Sequence, residues 1–304
     1  MKLAPVILFT YNRLTQIKRT IEALQENKWA DKSDLFIFSD APKSDEDQSK
    51  VKQVREYLRT VNRFRSVTII EREFNYGLGN NIIDGVTEII ANYGKVIVME
   101  DDLIASPYFL EYMNTGLDLY ENDDQVISIH GYVYPVKEKL PETFFMKGAD
   151  CLGWGTWKRG WSIFEPDGNI LLKKLLETDQ SNAFDYSNAY PFTQMLKDQT
   201  EGKNNSWAVR WYASAFLNDK YTLWPGRSLI YHAGGDGTGT NTGFDSLLDV
   251  TLSIRPIEVV RINIEQNISA YNSFVSFYKK LSHPPIFYRL KRKLKKISAL
   301  LLNK

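Results

Sequence analysis

The chain has 304 residues, of which 43% are hydrophobic and 25% charged, so it has room for one large globular domain or two small ones. Its formal net charge of +1 is too balanced for a protein that binds nucleic acid through bulk electrostatics. The single cysteine, Cys151, excludes an internal disulfide and a zinc cluster of cysteines. It fits a reducing compartment, with the cytoplasm as the default expectation. The sequence shows no signal peptide and no apolar run of transmembrane length, so we expect neither.

Short apolar runs alternate with amphipathic segments over the first 130 residues, which predicts βα units around a mostly parallel sheet. The pattern predicts strands at 6–9, 35–38, 67–70 and 96–99, and helices at 14–24, at about 45–59 and from about 80 to 93. Polar or glycine-rich residues follow each strand. Because the carboxyl ends of parallel strands share one edge, we expect these residues to gather where open α/β sheets bind their ligands.

The second half of the chain differs in composition. Six of the seven tryptophans lie beyond residue 150, at positions 154, 157, 161, 207, 211 and 224, and we expect at least half of them in the core because tryptophan is largely buried on average. Residues 287–297 mix lysine and arginine with Leu, Ile, Phe and Tyr at helical spacing. This tail predicts an amphipathic helix on an anionic membrane surface, and the alternative is a basic helix packed on its own domain.

Three consecutive acids, Glu100, Asp101 and Asp102, follow the apolar run 96–99. They repel one another unless a cation compensates them, and their oxygens suit a hard divalent ion, Mg²⁺ or Mn²⁺. The pattern therefore predicts a metal site. The alternative is a solvated loop in which Asp101 or Asp102 caps the helix that Pro107 begins.

The ends of the other strands carry residues suited to a nucleotide. Tyr11 is suited to stacking on a base and Arg13 to pairing with a phosphate, although Thr10 or Asn12 is equally suited to capping the next helix. Asp40 is placed to accept a base N–H or to cap a turn. The turn of residues 75–80 has backbone amides for phosphates, contributed by Asn75, Gly77, Gly79 and Asn80. Together with the acids, these sites describe a place for a metal-chelated nucleotide diphosphate.

Three segments resemble nucleotide-sugar-dependent glycosyltransferases of the GT-A fold: ILFTYNRL, VIVMEDDLIASPYFLEYM and GWGTWKRGW. The resemblance covers roughly residues 4–245 and is nearest to bacterial proteins similar to the N-acetylglucosaminyltransferase I family. It implies a Rossmann-like α/β fold with a mostly parallel central sheet flanked by helices, followed by a C-terminal helical tail. It divides the chain into a nucleotide-sugar half (1–130), an acceptor half (131–255) and an extension with the basic helix (256–304).

The resemblance also implies roles for particular residues. Asp102 would coordinate Mn²⁺ or Mg²⁺, with His232 completing the metal shell, while Glu100 and Asp101 would contact the ribose and sugar or support that shell. The nucleoside would be held by Thr10, Tyr11, Asn12, Arg13 and Asp40. Gly153 and Trp154, in the segment 152–155, would line the transferred sugar.

The general base does not transfer from the family, because Ala208 and Val209 stand where the relatives carry an aspartate after a tryptophan. The same segment alternatively resembles another GT-A element, which would place Arg210 and Trp211 near the diphosphate and acceptor. Asp236 is the first candidate for the base. Asp185 and Asp198 follow it.

The residues and the resemblance together predict metal-dependent transfer of a hexosyl or N-acetylhexosaminyl group from a nucleotide diphosphate donor, most simply a UDP-sugar. The resemblance implies that the transfer inverts the anomeric configuration. The acceptor is a saccharide, or a lipid-linked glycan if the tail binds the inner face of the cell membrane; no nucleic-acid partner is expected. One alternative is a sugar nucleotidyltransferase, although residues 10–14 lack the glycine-rich loop of that class. Another is a non-catalytic carbohydrate-binding protein that uses the aromatic half, where exposed tryptophans would stack on sugar faces.

Overall fold

The computed structural model describes residues 2–236 and 247–283. Within these ranges no helix is both long enough and apolar enough to cross a membrane. The predicted basic helix of residues 287–297 lies outside the described residues. So does the side chain of Asp236, although its backbone ends a short 3-10 helix, Ala233–Asp236.

The chain alternates strands and helices through its first half and becomes mainly helical between residues 158 and 217. The strands are β1 Val6–Thr10, β2 Asp34–Ser39, β3 Ser66–Glu71, β4 Lys95–Glu100, β5 Leu103–Ala105, β6 Val126–His130, β7 Thr143–Lys147, β8 Trp154–Trp157, β9 Tyr221–Pro225 and β10 Ile230–His232. The helices are α1 Leu14–Gln25, α2 Asp45–Leu58, α3 Leu78–Tyr93, α4 Phe109–Leu119, α5 Lys158–Trp161, α6 Gly168–Glu177, α7 Ser181–Phe184, α8 Phe192–Thr200, α9 Trp207–Leu217 and α10 Ile268–Ser282.

Eight strands form one sheet in the order β3-β2-β1-β4-β8-β6-β9-β7. Strands β3, β2, β1 and β4 are parallel neighbours, whereas β8 is antiparallel to both β4 and β6. Strands β5 and β10 form a separate antiparallel pair. The four parallel strands therefore end at one edge, as their sequence pattern predicts.

The large sheet is buried on both faces except at its edge strand β3, whose residues are exposed or half-buried. Along β1, Val6 and Leu8 belong to one apolar core, and Ile7 and Phe9 belong to the other, as expected for alternating side chains of a strand. Helix α1 turns Ile17, Ile21 and Leu24 toward the first core, because their spacing puts them on one face. Helix α3 covers the second core with Ile82, Val86, Ile89 and Ile90.

The predicted α/β class, its mostly parallel first half and its helices are confirmed. Each predicted strand and helix of residues 6–100 is present, with ends within about two residues of the prediction. The six tryptophans beyond residue 150 are all buried, which confirms the expectation that at least half are core. The two cores share them, since Trp157 and Trp224 belong to the first core and the other four to the second.

Candidate active site

The acid triplet lies at the turn between the two sheets. Strand β4 ends at Glu100, Asp101 and Asp102 form the turn, and β5 begins at Leu103. Strand β10 pairs with β5 so that His232 is opposite Leu103, and Ala233 N donates to Asp102 O over 2.8 Å. The helix-cap alternative is wrong, because β5 intervenes and α4 begins only at Phe109.

This pairing brings His232 to the triplet from 130 residues away in the chain. His232 Nε2 lies 3.7 Å from Asp102 Oδ2, and both side chains are nearly buried. The distance is too long for a hydrogen bond. It is short enough for two ligands that each lie ~2.1 Å from a common metal ion.

Arg13 is the arginine that contacts the triplet in the described ranges. Its Nη2 donates to Asp101 Oδ1 and, over 3.1 Å, to Asp102 Oδ2. Thr10 Oγ1 donates to Asp101 Oδ2 over 3.1 Å, since β1 pairs directly with β4. Neither Thr10 nor Asn12 caps α1, whose N-cap is Arg13 itself without a side-chain hydrogen bond.

The carboxylates differ in their tendency to ionise. Burial, and then the charges of Asp102 and Asp101, raise the pKa of Glu100 to about 8. Burial also raises the pKa of Asp102, but His232 and Arg13 outweigh it and hold that pKa below its ordinary value. At neutral pH Asp102 is therefore a carboxylate and the better ligand for a cation, whereas burial beside two other acids favours the neutral form of Glu100.

Asp102 and His232 fit a divalent ion whose other ligands come from a bound molecule. No group of three or more His, Cys, Asp or Glu side chains able to hold a metal occurs in residues 2–236 and 247–283. Asp102 and His232 thus offer two protein ligands. In addition, Arg13 Nη1 is buried without a hydrogen-bond partner among the described residues, and an unfilled donor of this kind suits an anionic ligand.

The loop after β1 is held by Asp47, an acid that the sequence pattern does not single out. Asp47, in the first turn of α2, accepts the Tyr11 hydroxyl at 2.9 Å and Asn12 Nδ2 at 2.8 Å. Lys43 N donates to the Tyr11 hydroxyl over 2.9 Å. The acidic start of α2 is the only sequence signal for this role, and it is equally expected from the helix dipole.

Asp40 shapes the glycine-containing turn. Its Oδ1 accepts the amides of Ala41 and Tyr76, both at 2.9 Å, and its Oδ2 accepts that of Gly77 at 3.0 Å. Gly77 has a φ of +70°, which favours glycine. The turn is thereby fixed next to the end of β2, while the oxygens predicted to bind a base already accept backbone amides.

The remaining turn residues support the start of α3. Asn75 Nδ2 donates to Ala41 O over 2.7 Å, and Asn80 Nδ2 to Tyr76 O over 3.1 Å. A Cβ on Gly79 would lie 3.0 Å from Asn205 O, so this glycine permits the close approach of the segment before α9. The structure thus places all the predicted first-half residues along one sheet edge.

The predicted residues of the second half occupy different places. Gly153, with φ of +66°, packs against Ile230, where a Cβ would meet Cγ1 at 2.6 Å. Trp154 and Trp211 are each 0% exposed and pack against one another with their ring centroids 5.5 Å apart. Their indoles belong to the core and not to the sheet edge.

The guanidinium of Arg210 donates to backbone carbonyls of nearby segments. Its Nη1 donates to Pro166 O over 2.8 Å and its Nε to Ser206 O over 3.2 Å. Burial lowers the pKa of its guanidinium. In this structure Arg210 joins the start of α9 to the segment before α6, and no acidic side chain offsets its charge by an ion pair in the described ranges.

Two of the three candidates for the general base, Asp185 and Asp198, make contacts in and around α8. Asp185 accepts Thr193 N at 2.6 Å and Thr193 Oγ1 at 2.9 Å, so it stabilises the start of α8. Asp198 accepts Gln194 Nε2 at 2.9 Å on the exposed face of the same helix. Asp236 follows His232 by four residues, but its side chain is outside the described residues.

Three solved structures illustrate how the chain relates to known folds. A mannosyltransferase from Pyrobaculum calidifontis in complex with GDP-Man and Mn²⁺ is 20% identical, with a TM-score of 0.34 over 43% of this chain and 35% of that one. S. aureus TarS is 15% identical, with a TM-score of 0.42 over 78% and 37%. TarS 1–349 in complex with UDP-GlcNAc is 14% identical, with a TM-score of 0.41 over 76% and 58%.

The present chain therefore spans between about a third and three fifths of the length of these proteins. They are too remote to identify a donor for it. None of the curated proteins matches the sequence. Nothing in these comparisons singles out the N-acetylglucosaminyltransferase I type, which stays a prediction.

The family comparison is more direct. The model for glycosyl transferase family 2 matches residues 6–179, more than half of the chain. This range includes β1 with Arg13, Asp40, the turn before α3 and the acid triplet, which the fold gathers at one edge. The chain belongs to glycosyl transferase family 2.

Proposed function

We propose that this protein transfers a sugar from a nucleotide diphosphate donor, a UDP-sugar, to a saccharide or lipid-linked glycan. Family membership supports the reaction class. The observation that carries the proposal is the pairing of β5 with β10, which sets His232 Nε2 3.7 Å from Asp102 Oδ2 beside two further acids. A solvated acidic loop that binds no ligand would not need a nearly buried histidine beside it, whereas a metal site would.

In this proposal Asp102 and His232 would hold a Mn²⁺ or Mg²⁺ ion, which when bound would supply positive charge to the departing diphosphate. Arg13 presents its unfilled Nη1 to the same diphosphate and orients Asp101 and Asp102 through Nη2. Negative charge that develops on the leaving group is thereby met by donors already in position.

The nucleoside lies along the ends of β1 and β2. Tyr11, whose hydroxyl is held by Asp47, offers its ring, and the turn offers the backbone amides at the start of α3 that do not already donate to Asp40. The chain divides at about residues 130 and 255 into a donor half, an acceptor half and an extension. The reaction inverts the anomeric configuration, and the sugar is a hexose or an N-acetylhexosamine.

In this proposal the basic tail of residues 287–297 binds the inner face of the cell membrane. Its lysines and arginines alternate with apolar residues, a composition that binds anionic lipid surfaces. Flotation with phosphatidylglycerol vesicles, compared between the full chain and the chain without residues 285–304, tests this part. Equal partition of the two chains would remove the membrane from the proposal.

The test of the reaction measures nucleoside diphosphate release from UDP-GlcNAc, UDP-glucose, UDP-galactose and GDP-mannose, with Mn²⁺ and with EDTA. We expect release with at least one donor, its loss with EDTA, and a decrease of about 10²-fold or more for Asp102→Ala. Release of a nucleoside diphosphate, rather than a reaction of the sugar phosphate with a nucleoside triphosphate, separates this proposal from a nucleotidyltransferase. No release with any donor, together with no effect of Asp102→Ala on UDP–Mn²⁺ binding, would contradict it.

A further inference from the structure

A cavity of about 200 Å³ lies between the segment that follows β7 and the helices of the second half. Six of its fifteen lining residues are aromatic: Tyr134, Tyr186, Phe192, Tyr212, Trp224 and Tyr278. Asp150 is the acid among the described lining residues. Tyr278 belongs to α10, outside the range matched by the family, so the extension of the chain completes this cavity.

One lining residue, Cys151, links the cavity to the acid triplet. Strand β8 is antiparallel to β4, with Trp154 opposite Val98, so β8 begins near the end of β4 from which the triplet follows. Cys151, which lines the cavity, has its thiol pKa raised by burial and by the charges of Asp150, Glu100 and Asp102. One end of the cavity is therefore within electrostatic range of the donor site.

Asp150 is held in a defined orientation at this end. Its Oδ2 accepts the Tyr134 hydroxyl at 2.6 Å, and its Oδ1 accepts Cys151 N at 2.6 Å. The Tyr278 hydroxyl donates to the Tyr134 hydroxyl over 2.7 Å. Each carboxylate oxygen of Asp150 keeps a lone pair for one further donor, and the side chain is only partly buried.

We propose that this cavity binds a sugar ring of the acceptor and that Asp150 is the general base, an inference that rests on the proposed glycosyl transfer. The acceptor hydroxyl gives its proton to a carboxylate oxygen of Asp150 while its oxygen forms a bond to the anomeric carbon. The bond from that carbon to the diphosphate oxygen breaks, and its electron pair leaves on the nucleoside diphosphate. Tyr134 and Tyr278 are positioning residues.

The chemistry of the wall favours a sugar ring. Aromatic rings bury the apolar C–H face of a pyranose, while phenolic hydroxyls and a carboxylate bind its hydroxyl groups. The cavity is smaller than the ~300–1,000 Å³ of sites for drug-sized ligands. It therefore suits a single ring at the end of an acceptor, and Asp150 occupies the role that Ala208 and Val209 cannot fill.

The experiment measures release of the nucleoside diphosphate by the full chain with a donor and Mn²⁺. The rate without an acceptor is compared with the rates in the presence of methyl pyranosides of glucose, galactose, mannose and N-acetylglucosamine. Variants are Asp150→Asn, Tyr134→Phe, Asp34→Asn and Ala208→Phe. Asp34 is also a largely buried, hydrogen-bonded aspartate, but it begins β2 at the opposite edge and serves as the matched control. UDP–Mn²⁺ affinity is measured in parallel by calorimetry.

We expect at least one pyranoside to accelerate release. Asp150→Asn should lower that accelerated rate by about 10²-fold or more with UDP affinity within about twofold, and Asp34→Asn should stay within about threefold. Tyr134→Phe should lower kcat about tenfold at unchanged donor KM. Ala208→Phe, which fills the cavity, should abolish the acceleration and retain UDP binding, and it tests the site even if Asp150→Asn does not fold.

The outcomes separate the two proposals. If the unaltered chain binds no UDP and consumes no donor, the proposed function fails. If it consumes donor but no pyranoside accelerates release, or Asp150→Asn keeps more than a tenth of the accelerated rate, the assignment of this cavity and base is overturned. Loss of UDP affinity in Asp150→Asn would likewise overturn it, since Asp150 would then serve the donor site.

Discussion

Arg13→Met tests the charge balance at the acid triplet. The Arg13 side chain is 21% exposed and its partners Asp101 and Asp102 are 5% and 11% exposed, so the substitution leaves nearly buried acids without their cation. Removing one partner of a buried pair costs about 3–5 kcal/mol. We expect a loss of this size in the free energy of unfolding without metal, measured by urea titration at pH 7.

Arg63→Met is the matched control, because Arg63 pairs with Glu26 over 3.0 Å at side-chain exposures of 65% and 69%. An exposed pair contributes about 0–1 kcal/mol, so the control should change little. In the Arg13→Met background, Asp101→Asn should recover part of the loss by removing one uncompensated charge. Equal losses for Arg13→Met and Arg63→Met, within about 1 kcal/mol, would refute the reasoning.

Three further predictions concern stability. Burial lowers the pKa of His130 to about 4, although the charge of Asp150 acts in the opposite direction. Because the folded pKa lies below the unfolded value near 6.5, stability is full above pH 6.5 and falls by up to ~3 kcal/mol as the pH drops to 4. Urea titrations at pH 7.5 and 4.5 should show a smaller difference for His130→Phe, and an equal one would contradict the prediction. Gly148→Ala should cost about 2–4 kcal/mol, since φ is +92° and the Cβ would lie 2.6 Å from a Tyr212 ring carbon, as overpacking adds to backbone strain. Gly202→Ala, with φ of +71° and open space around it, should cost only about 1–2 kcal/mol, and thermal unfolding compares the two. Asp40→Asn places an amide NH₂ where the carboxylate accepts backbone amides and should cost about 1–3 kcal/mol; an unchanged urea midpoint would show that these bonds do not hold the turn.

The first half of the fold is predictable from local pattern. Runs such as Val96–Met99 are apolar throughout because their strands are buried on both faces, and the helices between them show one apolar stripe. Polar residues at the ends of parallel strands must share one edge of the sheet, so the sequence alone is enough to group Arg13, Asp40 and the acid triplet. Asp47 could not be assigned in this way, because an acid in the first turn of a helix is common for reasons unrelated to a site.

The second half depends on contacts between residues distant in the chain. Antiparallel insertion of β8 between β4 and β6 brings Cys151 within electrostatic range of Glu100 and Asp102, and no local pattern encodes which strands become neighbours. The same applies to the tryptophans, since a Trp in the core and a Trp on a sugar-binding surface have the same local sequence pattern. Burial decides between them, and Trp154 and Trp211 are in the core.

The sequence by itself determined the fold class, the edge of the sheet that carries the proposed donor site and the acids that lie there, because strand periodicity and charge repulsion are local properties. Only the tertiary structure decided which partners meet those acids. The pairing of β5 with β10 brings His232 to Asp102, and α10 closes the aromatic cavity around Asp150. These are long-range pairings, selected by the packing of the whole chain and not by the residues next to each group.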